Sequence, residues 1–195
     1  MNFLITFFIL IFSAPLMAAD SFLPSSFHSI FSQVTVSIVS GKEQVSSGIL
    51  DYQYPSNLRL EIEKPDPLLL VSNKQNTWFY RPSFIEGERD ELTVKDSGDS
   101  ELSQFLDILK SGLKNNSDYT VTTKANNVHL TFSASGTKRI GIIAADLEFS
   151  GTTYLFSQLK KIKVTPSSKK NFELRFSTIE IDKPFSAQHF IFSKP

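Results

Sequence analysis

The sequence predicts a mainly β protein, a long antiparallel meander curled into a barrel or strongly bent sheet, with one amphipathic helix covering it. Three observations carry this. Short stretches of apolar–polar alternation recur along most of the chain, divided by turns rich in Gly, Asn, Pro and Ser. One segment breaks that period: Leu102, Phe105, Leu106, Leu109 and Leu113 recur at helical spacing, with Asp107 and Lys110 opposite. Finally, residues 58–80 place more apolar bulk on one face than three strands can hide by themselves.

Residues 58–80 read as three short strands. Leu58, Leu60 and Ile62 alternate with Arg59, Glu61 and Glu63, giving one apolar and one charged face. Pro65 and Pro67 cannot donate to a ladder and end the first strand. Residues 68–71 are apolar without alternation, as expected of a strand covered on both faces. Ser72, Asn73, Lys74, Gln75 and Asn76 make a turn, and Thr77, Trp78, Phe79 and Tyr80 resume as an aromatic strand.

The remaining elements follow in order. Residues 27–39 are a strand, with Val34, Val36 and Ile38 on one face; Gly41 and Lys42 turn the chain into a strand over 44–54. Gly48 inside that strand marks a bulge or a close approach. A short strand over 91–95 precedes the helix, whose N-cap is sought among Ser97, Gly98, Asp99 and Ser100. Asn115, Asn116 and Ser117 end it. Strands are then predicted over 119–124, 128–133, 140–149, 153–164, 172–181 and 189–192, with Ser135-Gly136-Thr137 among the turns.

Residues 1–19 carry no charged side chain and contain a short apolar run, 3–12, then Pro15 and the small residues Ala18 and Ala19 before Asp20. This is the outline of a secretory signal peptide cleaved after Ala19; the run is short for a membrane span. Residues 20–195 then form one domain. With no Cys, that domain is held by its core and cannot itself be lipidated behind the signal.

Twenty basic and twenty acidic side chains balance, which argues against a nucleic-acid partner. The three His, at 28, 129 and 189, fall in three different predicted strands without an acidic or His neighbour at metal spacing, and structural or surface roles are expected. No Gly-x-Ser-x-Gly, Gly-Lys-Ser/Thr or His-Glu-x-x-His motif occurs, so neither enzymatic activity nor a cofactor is expected. The carboxylates Glu61, Glu63, Asp146 and Glu148 alternate as solvated strand faces do. Lys160, Lys161 and Lys163 read as an exposed sheet edge, where Lys deters aggregation.

Tyr54-Pro55-x-x-Leu58-Arg59-Leu60, Lys64-Pro65, Leu70-Val71-Ser72-Asn73 and Trp78-Phe79-Tyr80-x-Pro82 resemble, in order and spacing, a pattern of the LolA family of periplasmic lipoprotein carriers: Arg-Pro-x-x-Phe-Arg-Trp, Pro, Leu-Val-Ser-Asp-Gly, Trp-x-Tyr-x-Pro. Residues 25–33 are similar to that family's first strand, and Phe190-x-Phe192-x-x-Pro195 to its close. The resemblance implies an unclosed antiparallel β-barrel, lidded by helices, enclosing a hydrophobic cavity for acyl chains. It implies a soluble, monomeric periplasmic carrier, loaded by an inner-membrane transporter and unloaded at an outer-membrane receptor. A LolA-like carrier of another lipid or glycolipid and a non-enzymatic envelope sensor are the alternatives.

On this reading Leu58, Leu60, Val71, Trp78 and Tyr80 line the chamber from the sheet, and Leu102, Phe105, Leu106 and Leu109 from the lid. The family arginine that ties barrel to lid is Tyr54 here, a weaker latch with fewer donors. The family's Phe and Trp become Leu58 and Leu60, giving a less aromatic lining. Only residues 20–24 precede the first strand after cleavage, so the lid rests mainly on 102–113, hinged at 97–99 and 115–117.

Overall fold

Eleven strands join edge to edge in one antiparallel sheet: β1 (Ser26–Val36), β2 (Glu43–Gln53), β3 (Asn57–Lys64), β4 (Leu68–Ser72), β5 (Asn76–Arg81), β6 (Glu91–Asp96), β7 (Tyr119–Lys124), β8 (Asn127–Phe132), β9 (Ile142–Phe149), β10 (Leu159–Pro166) and β11 (Phe172–Ile181). Two helices accompany them, α1 (Glu101–Leu109) and α2 (Ala134–Ile140), with 3₁₀ turns at Phe156–Gln158 and Ala187–Phe190. The computed structural model describes residues 21–36, 41, 43–85, 87–96, 100–167 and 171–194. The predicted signal segment 1–19, the end of the first predicted strand, Lys42 and the predicted hinge 97–99 lie outside them.

The strand order is β6-β5-β4-β3-β2-β1-β11-β10-β9-β8-β7. Two meanders, β1–β6 and β7–β11, are therefore sewn together where β1 pairs with β11. The free edges are β6 and β7, so the sheet is an unclosed barrel. The chain passes from β6 through α1 to β7. In sequence, α1 thus links the two free edge strands.

Inward-facing positions alternate along each strand and meet across the register. Phe27 pairs with Tyr52, Tyr52 with Leu58, Leu50 with Leu60, Leu60 with Leu70, and Leu70 with Phe79. On the other meander Leu130 opposes Ala145, Leu147 opposes Ile162, and Ile162 opposes Leu174. These side chains and the apolar stripe of α1 belong to one core. The opposite face of β9–β11 is a charged lattice: Lys161 lies between Glu148 and Arg175, and Lys163 between Asp146 and Glu173.

That lattice corrects the edge reading of the lysine run. β10 is an interior strand, and Lys161 Nζ lies 2.6 Å from Glu148. Four further elements also differ. Ser135-Gly136-Thr137 is not a turn but the middle of α2, capped by Ser133 and closed by Gly141 at φ 68°. The strand expected from 140 begins at Ile142, because Ile140 ends α2 with its side chain fully buried. The strand expected over 153–164 starts only at Leu159, after a 3₁₀ turn. The last predicted strand, 189–192, falls on the 3₁₀ turn Ala187–Phe190.

Gly48 sits where the β2–β3 register slips, between Ser47 and Gly48. A Cβ there would lie 1.9 Å from the Glu61 carbonyl oxygen, so only glycine lets the two backbones approach. Gly48→Ala should force the strands apart and destabilise the protein by about 2 kcal/mol or more, at the upper part of the range for overpacking; urea denaturation measures it. Unchanged stability would mean that the register slip relaxes without cost.

Candidate functional site

The candidate site is the concave face of the sheet beneath α1. Ser100 caps the helix, its hydroxyl accepting from Ser103 N, and Glu101 sits in the first turn where the helix dipole favours an anion. Nine residues are too few to hold a helix in water unaided, so α1 depends on its packing. Phe105, Leu106 and Leu109 are buried within the core, as is Ile108, which a stripe drawn at 102, 105, 106 and 109 leaves out. Full burial of each such side chain is worth about 1.5–3 kcal/mol. Leu102, nearer the opening, is half-buried.

A second tie is polar. Asp107 accepts hydrogen bonds from the Tyr52 hydroxyl at 2.5 Å, from Ser56 N at 3.0 Å and from Ser56 Oγ at 2.7 Å. The β2–β3 turn is thereby fastened to α1. Burial, and then the bond to Asp107, push the Tyr52 phenol far above its ordinary range, so it remains a donor. Tyr54, the expected latch, is exposed; the Lys110 ammonium stands 5.5 Å from its ring centroid. Lys110 also donates to Leu23 O, and Leu23 is fully buried. An irregular, bent segment carrying Phe22 and Leu23 therefore precedes β1 where a first lid helix was sought. No sequence signal singled out Asp107 and Ser56, because a carboxylate on a polar helix face and a serine in a turn look solvated.

The predicted lining residues separate into two sets. Leu58 and Leu60 face the helix together with Leu70 and Phe79. Val71, Trp78 and Tyr80 do not: Val71 pairs with Arg59 and Trp78, so period-two alternation puts all three on the outer face. There, with Leu69, they pack under Phe192, whose ring centroid is 5.5 Å from that of Tyr80. Both-sided cover of β4 is thus achieved, but by the C-terminal tail.

The tail is a strap with polar anchors. Asn73 Nδ2 donates to Phe190 O at 3.0 Å. Lys194 pairs with Asp90, and together with bonds from Ser83 N and Tyr80 holds that carboxyl down at about 2. The His residues are not without acidic neighbours, as the sequence suggested. Asp51, 5% exposed, is met by His28 Nδ1 at 2.6 Å and by His189 Nε2 at 2.7 Å, and His129 meets Asp146 at 2.6 Å. The strands and the strap bring together groups that are 23 and 138 residues apart. No His, Cys, Asp or Glu cluster among the described residues is arranged to hold a metal ion.

Beside the N-terminal end of α1 the concave face opens into a cleft of about 300 Å³, lined by Leu60, Leu70, Phe79, Leu102, Phe172 and Leu174, with Gln33, Lys95, Ser100 and Glu101 also at its walls. After α1 the expected hinge at 115–117 is tied down: Asn116 Oδ1 accepts from Asp118 N and Tyr119 N, and Asn115 Oδ1 from Val121 N.

An open antiparallel barrel with an apolar concave face, a helix packed on that face and a cleft at the helix end defines the class of unclosed, helix-covered β-barrels. The comparisons identify the family within it. Residues 24–193 match the family model "Outer membrane lipoprotein carrier protein LolA", and the chain belongs to that family. It is 27% identical over 167 residues to the outer-membrane lipoprotein carrier protein of Dechloromonas aromatica, covering 85% of this chain and 76% of the relative. It is 24% identical over 153 residues to that of Idiomarina loihiensis, covering 78% and 68%. A LolA superfamily crystal structure from Nitrosomonas europaea aligns with a TM-score of 0.46 at 10% identity, covering 88% and 92%.

Asp107→Ala removes three hydrogen bonds to a charged group and should lower stability by about 2–3 kcal/mol. Tyr54→Ala should cost no more than about 1 kcal/mol, the value of an exposed cation–π contact. Thermal and urea denaturation of the two variants measure this ranking; the reverse order would make Tyr54 the principal tie.

Proposed function

We propose that this protein is a periplasmic carrier that shields the acyl chains of lipoproteins on the concave face beneath α1 and ferries them from the inner to the outer membrane. The observation that carries the proposal is the packing of α1: an amphipathic helix whose apolar stripe joins the core of an unclosed, apolar-faced sheet, with a cleft opening at its end. Family membership supports the same reading.

The cleft stands at the small end of the range for ligand pockets, about 300–1,000 Å³. Loading therefore requires α1 to lift and exchange its own apolar contacts for those of the cargo. Each methylene buried contributes about 0.8 kcal/mol, so transfer between two dry sites needs no chemistry on the cargo and no cofactor. Among the described residues no helix is long and apolar enough to cross a membrane. Loading by an inner-membrane transporter, delivery to an outer-membrane receptor, action as a monomer, export by the segment 1–19 and the absence of enzymatic activity belong to the same proposal. Leu58, Leu60, Leu102, Phe105, Leu106 and Leu109 are its contact residues; Val71, Trp78 and Tyr80 hold the outer strap instead.

Native mass spectrometry of the protein purified from the periplasm should reveal a co-purified lipoprotein. A free lipid or glycolipid would favour a carrier of that cargo, and repeated isolation without any ligand would overturn carriage. Leu60→Glu, at the half-buried wall of the cleft, should abolish the co-purified species while the protein stays folded. Global unfolding of this variant, as expected for a charge forced into a filled core, would place Leu60 in fixed packing.

A further inference from the structure

The cleft continues along the sheet. Phe79 and Lys95 line both it and an adjoining stretch of about 380 Å³ bounded by Leu68, Arg81, Glu91 and Thr93. The floor of this groove is apolar and its outer rim is not. Arg81 ends β5, and its neighbours on the same face are Phe79 and, across the ladder, Glu91 and Thr93. Lys95 pairs with Thr77, yet its ammonium reaches back over the Phe79 ring, 5.9 Å from the centroid, towards Arg81.

Among the described residues neither cation is ion-paired. Many basic side chains of this protein are paired, among them Arg59, Arg139, Lys161, Arg175, Lys183 and Lys194. Arg81 and Lys95 form no ion pair with any carboxylate among the described residues, although Glu91 lies directly across from Arg81. Glu101, the other acid at the cleft, turns its carboxylate towards Gly141. A Lys on the free edge strand β6 also discourages pairing with other strands. That role asks nothing of Arg81, nor of the apolar floor between the two.

We infer that this rim is a headgroup site: the groove takes an acyl chain along Leu60, Leu70 and Phe79 and holds an acidic headgroup against Arg81, Lys95 and the Thr93 hydroxyl. This rests on the carrier reading and goes beyond its lipoprotein cargo to a second, anionic one. A guanidinium and an ammonium together suit a carboxylate or phosphate ester, whereas a neutral glyceryl or ester head leaves both cations without a partner. The cargo class singled out is an anionic amphiphile.

Oleate and methyl oleate share one chain and differ in charge, which makes them the probes. Both are titrated below their aggregation threshold against the delipidated full protein, by displacement of a fluorescent fatty ester, for the wild type and for the Arg81→Gln/Lys95→Gln double variant. Oleate should bind the wild type about tenfold more tightly than its ester, the worth of one charge-assisted hydrogen bond. The preference should shrink with added salt and vanish in the double variant, while ester binding stays the same. Both side chains lie on the exposed rim of the sheet, and melting temperature verifies that the variant is folded. Equal affinities for the two probes, or a preference that survives in the variant, would overturn the headgroup site and leave the carrier reading standing. Failure of both probes to bind would overturn the groove as a lipid site. Co-purification of lipoprotein would still decide carriage independently.

Discussion

Everything in this structure depends on how α1 packs on the apolar face of a sheet whose ends do not meet. A sheet of eleven strands that curls but does not close leaves an apolar trough, and among the described residues one strongly amphipathic helix covers it. Phe105, Leu106, Ile108 and Leu109 supply the cover, and Asp107 fastens it to Tyr52 and Ser56. The apolar part is non-directional and tolerates sliding; the polar part fixes one position. A helix held in this way can be strong when seated and still release as a unit, because all three hydrogen bonds to Asp107 break together.

The outer face follows different physics. Over β9–β11 it is a lattice of opposite charges facing solvent, of small net worth per pair. Over β4 and β5 it is apolar and covered by the C-terminal strap, anchored at Asp51 by His189 and at Asp90 by Lys194. Division of labour results: the strap stabilises the outer side of β4 and β5, whose inner side offers Leu70 and Phe79. A helix that moves therefore need not unzip the sheet beneath it.

Strand alternation, the proline stops, the close approach at Gly48 and the helical stripe were legible because each is a local period or a local steric demand. The register was not. Leu58 and Leu60 were placed on the helix side by the alternation of their own strand, but Val71, Trp78 and Tyr80 sit on neighbouring strands whose phase is set by pairing, and the phase put them outside. Asp51 with its two histidines was invisible for the same reason, since contact across 138 residues leaves no spacing in the sequence. The helix α2 was missed because Ser135-Gly136-Thr137 carries turn chemistry. Gly136 is small for a packing reason: a Cβ would lie 2.6 Å from Asp118 O.

The central claim is that α1 is a cover that opens for cargo, whereas the sheet beneath it is permanent. Amide hydrogen exchange resolved by segment tests it most directly. Residues 101–109 should exchange faster than β11, Phe172–Ile181, in the ligand-free protein, and a bound acyl ligand should slow exchange in 101–109 while leaving β11 unchanged. Equal protection of α1 and β11, with no response to ligand, would show that the helix is fixed core and would contradict the account.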